Sequence, residues 1–159
     1  MKKLLPILLL VPFFAIGCAS QKSCCKKNAL VPGATTCVRT TAYTHTEPGG
    51  AHNAIGTRLA SAGVHSAAAD WSRFPVGTKF KILNTGEICQ IDDYGSALVG
   101  TGTIDLYKKS RGDMHNWGVR YVDIKILEWG SSKKSLQILR ERTRNRHVRA
   151  MVADLRTQG

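Results

Sequence analysis

The sequence predicts an all-β domain, a small closed or nearly closed β-barrel, followed by a basic helix. Residues 35–130 contain many short β-type runs, several of which alternate apolar and polar residues, with Gly, Asn, Asp and Pro between them. Helix-type periodicity is nearly absent from this region. About a hundred residues are enough for one compact core. Many short strands can avoid open sheet edges by closing into a barrel.

The elements follow from these patterns in chain order. Strands are predicted at 36–43, 79–83, 87–91, 103–107 and 119–127. Asn84 and Gly86 between the second and third runs predict a hairpin. After Gly130 the apolar residues of 135–155 recur at helical spacing, with arginines elsewhere. This helix either lies on an anionic membrane or wall, or packs on the barrel as a structural tail.

The N-terminal residues predict export. Met-Lys-Lys precedes an apolar run too short to span a membrane, so residues 1–17 are interpreted as a signal peptide. Ala15-Ile16-Gly17-Cys18 resembles the bacterial lipobox, which implies lipidation of Cys18. Residues 18–34 then form a tether, 35–130 the barrel domain and 131–159 the basic tail. The expected location is the cell envelope, and the outer membrane's periplasmic face if the cell is Gram-negative.

The remaining cysteines and the charge distribution narrow the possible partners. Four cysteines remain for disulfides or free thiols, with the pairing open: Cys24, Cys25, Cys37 and Cys89. No zinc-type spacing accompanies them, so neither a metal nor a cofactor is expected. The net charge of +12 resides in the two ends, whereas residues 35–130 hold ten Lys/Arg against nine Asp/Glu. This distribution argues against nucleic-acid binding and favours anionic lipid or the carboxylates of cell-wall peptides.

Three aspartates indicate where chemistry could occur. Asp70, Asp93 and Asp105 lie in glycine-punctuated β-type sequence among apolar neighbours. A half-buried carboxylate tends to have a raised pKa, which is the usual setting for acid/base catalysis.

The motifs around these aspartates resemble the 3D (Asp-Asp-Asp) domain over residues 38–128. The matching positions are Thr41-Ala42-Tyr43, Gly56-Thr57, Ala69-Asp70, 74–78, Asp93-Tyr94-Gly95, Gly100, Ile104-Asp105-Leu106-Tyr107 and Trp117-Gly118. This domain occurs in the membrane-bound lytic transglycosylase A family and in stationary-phase muralytic enzymes. The resemblance implies a six-stranded double-psi β-barrel and cleavage of the MurNAc-β-1,4-GlcNAc bond of peptidoglycan to a 1,6-anhydro product.

The resemblance also implies roles for individual residues. Asp105 falls on the catalytic acid/base, Asp93 would lie beside it and raise its pKa, and Asp70 would hold loops or contact substrate. Asp92 is expected to point away from Asp93, because neighbouring side chains alternate along a strand. The positions expected to contact substrate are Tyr43, Thr57, Tyr94, Gly95, Gly100, Tyr107 and Trp117.

The sequence departs from the family pattern between Asp93 and Asp105. The family commonly has Asp-Thr-Gly-Gly followed by Lys-Gly, whereas this chain has Tyr94, Ser96 and Val99 at those positions and an extra residue before Ile104. A non-catalytic peptidoglycan-binding lipoprotein barrel is therefore the alternative prediction.

Overall fold

A computed structural model describes residues 31–47 and 50–158 of the 159-residue chain. The described part contains six strands and three helices. The strands are β1 (Thr35–Tyr43), β2 (Val64–Ala68), β3 (Lys79–Ile82), β4 (Ile88–Asp93), β5 (Ile104–Tyr107) and β6 (Arg120–Glu128). The helices are α1 (Arg111–Trp117), α2 (Ser132–Arg140) and α3 (Arg146–Thr157).

The six strands close into a barrel in the order β1-β5-β2-β4-β3-β6. The β1/β5 and β2/β4 pairs are parallel, and the other four pairs are antiparallel. The predicted small six-stranded β-barrel with a helical C-terminus is confirmed. β6 shows the expected alternation, because Val122, Ile124 and Ile126 are buried while the residues between them are exposed.

Two elements of the barrel region were not predicted. β2 has the sequence Val-His-Ser-Ala-Ala, and alanine has little β propensity, so the run carries a weak strand signal. α1 is short and begins at Ser110, whose hydroxyl accepts a hydrogen bond from the backbone N–H of Asp113. Both elements border the concave surfaces described below.

The tail consists of two helices where the sequence predicted one. Residues 141–145 separate α2 from α3, and the apolar sides of both helices join the same core as the barrel. Leu139, Val148 and Met151 are fully buried there. The tail therefore packs on the barrel, and its apolar side is not available to lie on a membrane. No helix within residues 31–47 and 50–158 is long and apolar enough to cross a membrane.

Several predictions concern residues outside the described part of the chain. The signal peptide, the lipidation site Cys18, and Cys24 and Cys25 all lie within residues 1–30. Of the two described cysteines, Cys37 is half-buried on β1. Cys89 is buried on β4, where desolvation raises the pKa of its thiol to about 12.

Candidate active site

A cavity of about 220 Å³ opens where the last residues of β1, β2 and β4 meet β5. Both predicted active-site aspartates of the β4–β5 segment line it, together with the loops before β2 and after β4. The lining residues are Tyr43, Thr44, Glu47, Gly50, His52, Leu59, Ala68, Asp93, Tyr94, Gly95, Ser96, Ala97, Leu98 and Asp105.

Strand register brings the two aspartates to one face. Ala68 at the end of β2 is the direct partner of Asp93 on β4 and of Asp105 on β5, and Thr41 on β1 is the next partner in the row. Directly paired residues share a face of a sheet, so both carboxylates flank the small side chain of Ala68. Their backbones are two strand spacings apart, about 10 Å. A larger residue at position 68 would fill the space between them.

The Asp93 carboxyl group is held by backbone amides and has a raised pKa. Its Oδ1 accepts hydrogen bonds from the N–H of Ala54 at 3.1 Å and of Tyr94 at 2.8 Å. Burial nevertheless raises the pKa of Asp93 to about 6, and the negative charge of Asp92 adds to the shift. A carboxyl group with this pKa can both donate and accept a proton near neutral pH.

Asp105 has a different environment. Its Oδ1 accepts a hydrogen bond of 2.6 Å from the Thr41 hydroxyl. Burial raises the pKa of Asp105, and the charge of Glu47 contributes in the same direction, while Thr41 and Arg39 oppose the shift. The expected cause, a charge on Asp93, is not among these effects, so burial and Glu47 raise the pKa of Asp105 instead.

Asp92 does not line the cavity with Asp93, but its charge is near enough to raise the pKa of Asp93. The β2/β4 register shifts by one residue between Ala67 and Ala68, which leaves Asp92 as the extra residue of a β-bulge. Its Oδ2 accepts hydrogen bonds from Asn53 at 2.8 Å and Ser66 at 2.6 Å. The bulge keeps a second negative charge beside Asp93. No short sequence motif predicts such a shift in strand register.

Thr57 supports this arrangement from outside the cavity. Its hydroxyl accepts a hydrogen bond from the Asn53 amide, and its backbone N–H donates to Asn53 Oδ1 at 2.9 Å. Asn53 in turn holds Asp92. The residue expected to touch substrate at position 57 thus lies one layer behind the carboxylates.

Tyr43 faces the aspartates from the end of β1. Burial raises the pKa of its hydroxyl, and the charges of Asp93, Asp92 and Asp105 raise it further, in that order of size. The phenol therefore stays protonated and can donate a hydrogen bond. Its oxygen meets no partner at regular hydrogen-bond geometry within the described residues, although it lies close enough to Asp93 to favour the ionised carboxylate. The Tyr43 hydroxyl is thus buried beside Asp93 in the wall of the cavity.

Asp70 does not line the cavity. Its side chain is fully buried, with Oδ1 accepting from the N–H and hydroxyl of Ser72 and Oδ2 accepting from the N–H of Gly100 at 2.8 Å. Gly100 has a positive φ of 78°, a conformation that favours glycine. Of the two roles implied for Asp70, the geometry supports holding loops together. Gly100 shares that structural role.

The remaining predicted contact residues divide between two surfaces. Tyr94 and Gly95 line the aspartate cavity, with the Tyr94 ring 5.0 Å from the ring of Trp71 in an edge-on contact. Tyr107 and Trp117 line a separate groove on the other side of the Tyr43 ring. The indole of Trp117 is 7% exposed and has two cations near its ring, so it offers no open face on which a sugar could stack.

The cavity is a site of carboxylates and hydroxyls. Within residues 31–47 and 50–158 no three His, Cys, Asp or Glu side chains are grouped so that they could hold a metal ion. Besides Tyr43 and Tyr94, its polar lining consists of Thr44, Glu47, His52, Asp93, Ser96 and Asp105, and the carboxyl groups among them can transfer protons.

The structure is a closed six-stranded mixed barrel with two half-buried aspartates in one cavity at its strand ends. Residues 65–128, from β2 through β6, match the family model described as the 3D domain. This match agrees with the resemblance that the motifs predicted, and the 3D domain family is associated with cell-wall lytic enzymes. The match begins after β1, although β1 contributes Thr41 and Tyr43 to the site. No curated protein matches the chain.

Proposed function

We propose that this protein is a lytic transglycosylase of the cell wall, which cleaves the MurNAc-β-1,4-GlcNAc bond of peptidoglycan without consuming water. The observation that carries the proposal is the pair Asp93 and Asp105 in one cavity of a 3D domain, with the pKa of Asp93 raised to about 6. The lipid anchor at Cys18 and an envelope location are parts of the same proposal.

The reaction requires one group that gives and then takes a proton. A protonated carboxyl group donates its proton to the bridging oxygen as the bond to the anomeric carbon breaks, leaving an oxocarbenium-like sugar. The C6 hydroxyl of the same muramyl residue attacks the anomeric carbon, and its proton returns to the carboxylate. Because the nucleophile belongs to the substrate, no carboxylate is needed to activate water.

The electrostatics favour Asp93 as this acid/base. Its pKa of about 6 lets a useful fraction hold the proton near neutral pH, and its oxygen is oriented by Ala54 and Tyr94. Asp105, which the family pattern suggested for this role, then stabilises positive charge on the sugar from the other side of Ala68. The buried Tyr43 hydroxyl lies beside Asp93 and favours its ionised form after the proton has left.

The test is product analysis with matched variants. Purified protein is incubated with peptidoglycan, and 1,6-anhydromuropeptides are measured by mass spectrometry for the wild type, Asp93→Asn, Asp105→Asn and the surface control Asp154→Asn. We expect Asp93→Asn to lower the rate by about 10²–10⁴-fold, which is the usual contribution of a general acid. Asp105→Asn should lower it by about tenfold or more, and the control should match the wild type.

Each outcome discriminates between assignments. Loss of product in Asp105→Asn with near-normal rates in Asp93→Asn would reverse the two roles. No anhydro product from the wild type, with retained binding to sacculi, would exclude the enzyme and leave the peptidoglycan-binding barrel.

A further inference from the structure

A second and larger groove, of about 480 Å³, lies beside the aspartate cavity and has no part in the proposed chemistry. Its walls come from the start of β2, the end of β5 and the helix α1 with the residues that follow it. We call it the basic groove and define it by His65, Glu87, Tyr107, Lys108, Lys109 and Arg120. Two aromatic rings in contact connect the two surfaces: Tyr43 lines the cavity, Tyr107 lines the groove, and their ring centroids are 5.7 Å apart.

The cations of the basic groove are held in fixed positions. Arg120 donates from Nε to the carbonyl of Trp117 at 2.7 Å and from Nη2 to the carbonyl of Asn116 at 2.6 Å, and its Cζ lies 4.5 Å from the centre of the Trp117 ring. Lys108 Nζ lies at the same distance from that ring. A guanidinium group fastened on one side loses little side-chain freedom when its remaining N–H groups bind an anion.

The carboxylates of the groove already have partners. Glu87 accepts hydrogen bonds from Lys108 at 3.0 and 3.2 Å and from the Thr85 hydroxyl at 3.2 Å, and Asp113 accepts from the Ser110 hydroxyl at 2.7 Å. Lys109 and Arg120, by contrast, form no ion pair within residues 31–47 and 50–158. Three cations, Lys108, Lys109 and Arg120, thus face two carboxylates, Glu87 and Asp113, and the groove keeps an excess of positive charge next to Tyr107.

The position of the groove determines which anion it would meet. Asp105 and Tyr107 lie on the same face of β5 two residues apart, which is about 7 Å along the strand. A glycan strand with its scissile bond at the aspartates would place a neighbouring substituent over Tyr107. On a muramyl sugar that substituent is a lactyl ether carrying a short peptide, which ends in carboxylates. A guanidinium group binds a carboxylate through two parallel hydrogen bonds.

We propose that the basic groove is a subsite for the peptide of peptidoglycan, in which Arg120 and Lys109 bind a peptide carboxylate. This inference rests on the proposed function for its choice of ligand. It predicts that the protein prefers glycan whose peptides are intact over glycan from which an amidase has removed them.

Binding and cleavage are measured in the same samples. Wild-type protein is co-sedimented with intact sacculi and with amidase-treated sacculi, and the supernatants are analysed for anhydro products. We expect about tenfold tighter binding to intact sacculi, since one charge-assisted contact contributes on this scale. The preference should shrink as the salt concentration rises.

Three variants locate the effect. Arg120→Gln and Lys109→Glu should each remove most of the preference, and Lys109 is an exposed residue. Lys125→Gln is the matched control: like Arg120→Gln it removes one positive charge from β6, but Lys125 lies outside the groove. This variant should bind sacculi like the wild type. Thermal unfolding of Arg120→Gln shows whether α1 remains attached.

The outcomes separate this inference from the enzymatic proposal. Equal binding to both kinds of sacculi, or a preference that survives in both Arg120→Gln and Lys109→Glu, would overturn the subsite while leaving cleavage unaffected. A preference lost in those variants, without any anhydro product from the wild type, would support the subsite and refute the enzyme.

Discussion

Asp93 titrates near the pH at which the proposed reaction runs, and this gives its role a kinetic signature. Burial is the main cause of its pKa of about 6, and Asp92 in the bulge is the main charge that adds to it. If Asp93 donates the proton, only its protonated form in the free enzyme is active. We expect kcat/KM to fall about tenfold per pH unit well above pH 6, as measured by initial rates of anhydro-product release. A flat profile from pH 5 to 8 would contradict the assignment.

The same pKa predicts an effect of Asp93 on stability. A carboxyl group whose pKa is higher in the folded state than in the unfolded state binds its proton more tightly when folded. Its contribution to the free energy of unfolding is therefore largest at low pH, below its ordinary pKa of 3.8, and is lost as the pH rises through about 6. Asp93→Asn removes the buried charge and keeps an oxygen that can accept from Ala54 and Tyr94.

At pH 7.5 we expect Asp93→Asn to be more stable than the wild type by on the order of 1 kcal/mol, less than the full shift because the carboxylate is partly exposed. Below pH 4 the difference should disappear. Chemical denaturation at the two pH values measures this difference in the free energy of unfolding, with Asp154→Asn as the control. A variant that is less stable at pH 7.5 would show that the hydrogen bonds of the carboxylate outweigh its burial.

At the scale of elements, the junction between β6 and α2 depends on a glycine. A Cβ atom at Gly130 would contact the carbonyl of Pro75 and lie 2.5 Å from the Val76 carbonyl and 2.6 Å from the Thr78 nitrogen. All three are backbone atoms of the turn before β3, which also binds the junction through Ser131 N–H to the Val76 carbonyl at 3.0 Å. The turn and the junction cannot separate without breaking that bond.

Gly130→Ala should therefore lower the free energy of unfolding by about 3 kcal/mol, the upper range for overpacking. The matched control is Gly112→Ala in α1, where the nearest atom to the new methyl group is the Ser110 hydroxyl oxygen at 3.6 Å. Alanine suits a helix better than glycine, so this control should be neutral or slightly stabilising. Denaturant titration of both variants tests the prediction, and equal stabilities would contradict it.

The tail helices also reach the wall of the candidate active site. Arg142 lies 3.5 Å from the Tyr94 hydroxyl, and the His147 ring is 6.1 Å from the Tyr94 ring. On its other side Tyr94 meets Trp71, whose indole N–H donates to the Asp93 carbonyl at 2.8 Å. The tail thus helps to fix the residue that follows Asp93, and barrel and tail form one structural unit.

At the scale of the whole molecule, the fold was more predictable than the site. Strands such as β6 can be predicted because apolar and polar residues alternate along them, one face being buried in the barrel. β2 does not, since its alanines are small enough for a crowded centre but carry no strand signal. Register is a property of pairs of strands, so neither the bulge at Asp92 nor the row from Asp93 through Ala68 to Asp105 can be derived from one run alone.

The site predictions divide in the same way. Motif position located Asp93, Asp105 and Tyr43 near one another, because motifs mark the ends of strands. It could not separate Asp70, which is buried in a loop, from the aspartates that face the cavity. Trp117 was expected to stack on sugar as aromatic residues often do, but only the folded chain brings Lys108 and Arg120 to its ring.

The order of strands in the barrel also determines which strand pairs can form early in folding and which must form late. The neighbours of β1 are β5 and β6, so Thr40 pairs with Ile104 and Val38 with Val122, far along the chain. Contacts of such long sequence separation form slowly, and in a chain that emerges N-terminus first one edge of β1 stays exposed until β5 has appeared and the other until β6 has appeared. The β3–β4 hairpin can form early, whereas the first strand made is among the last to be paired.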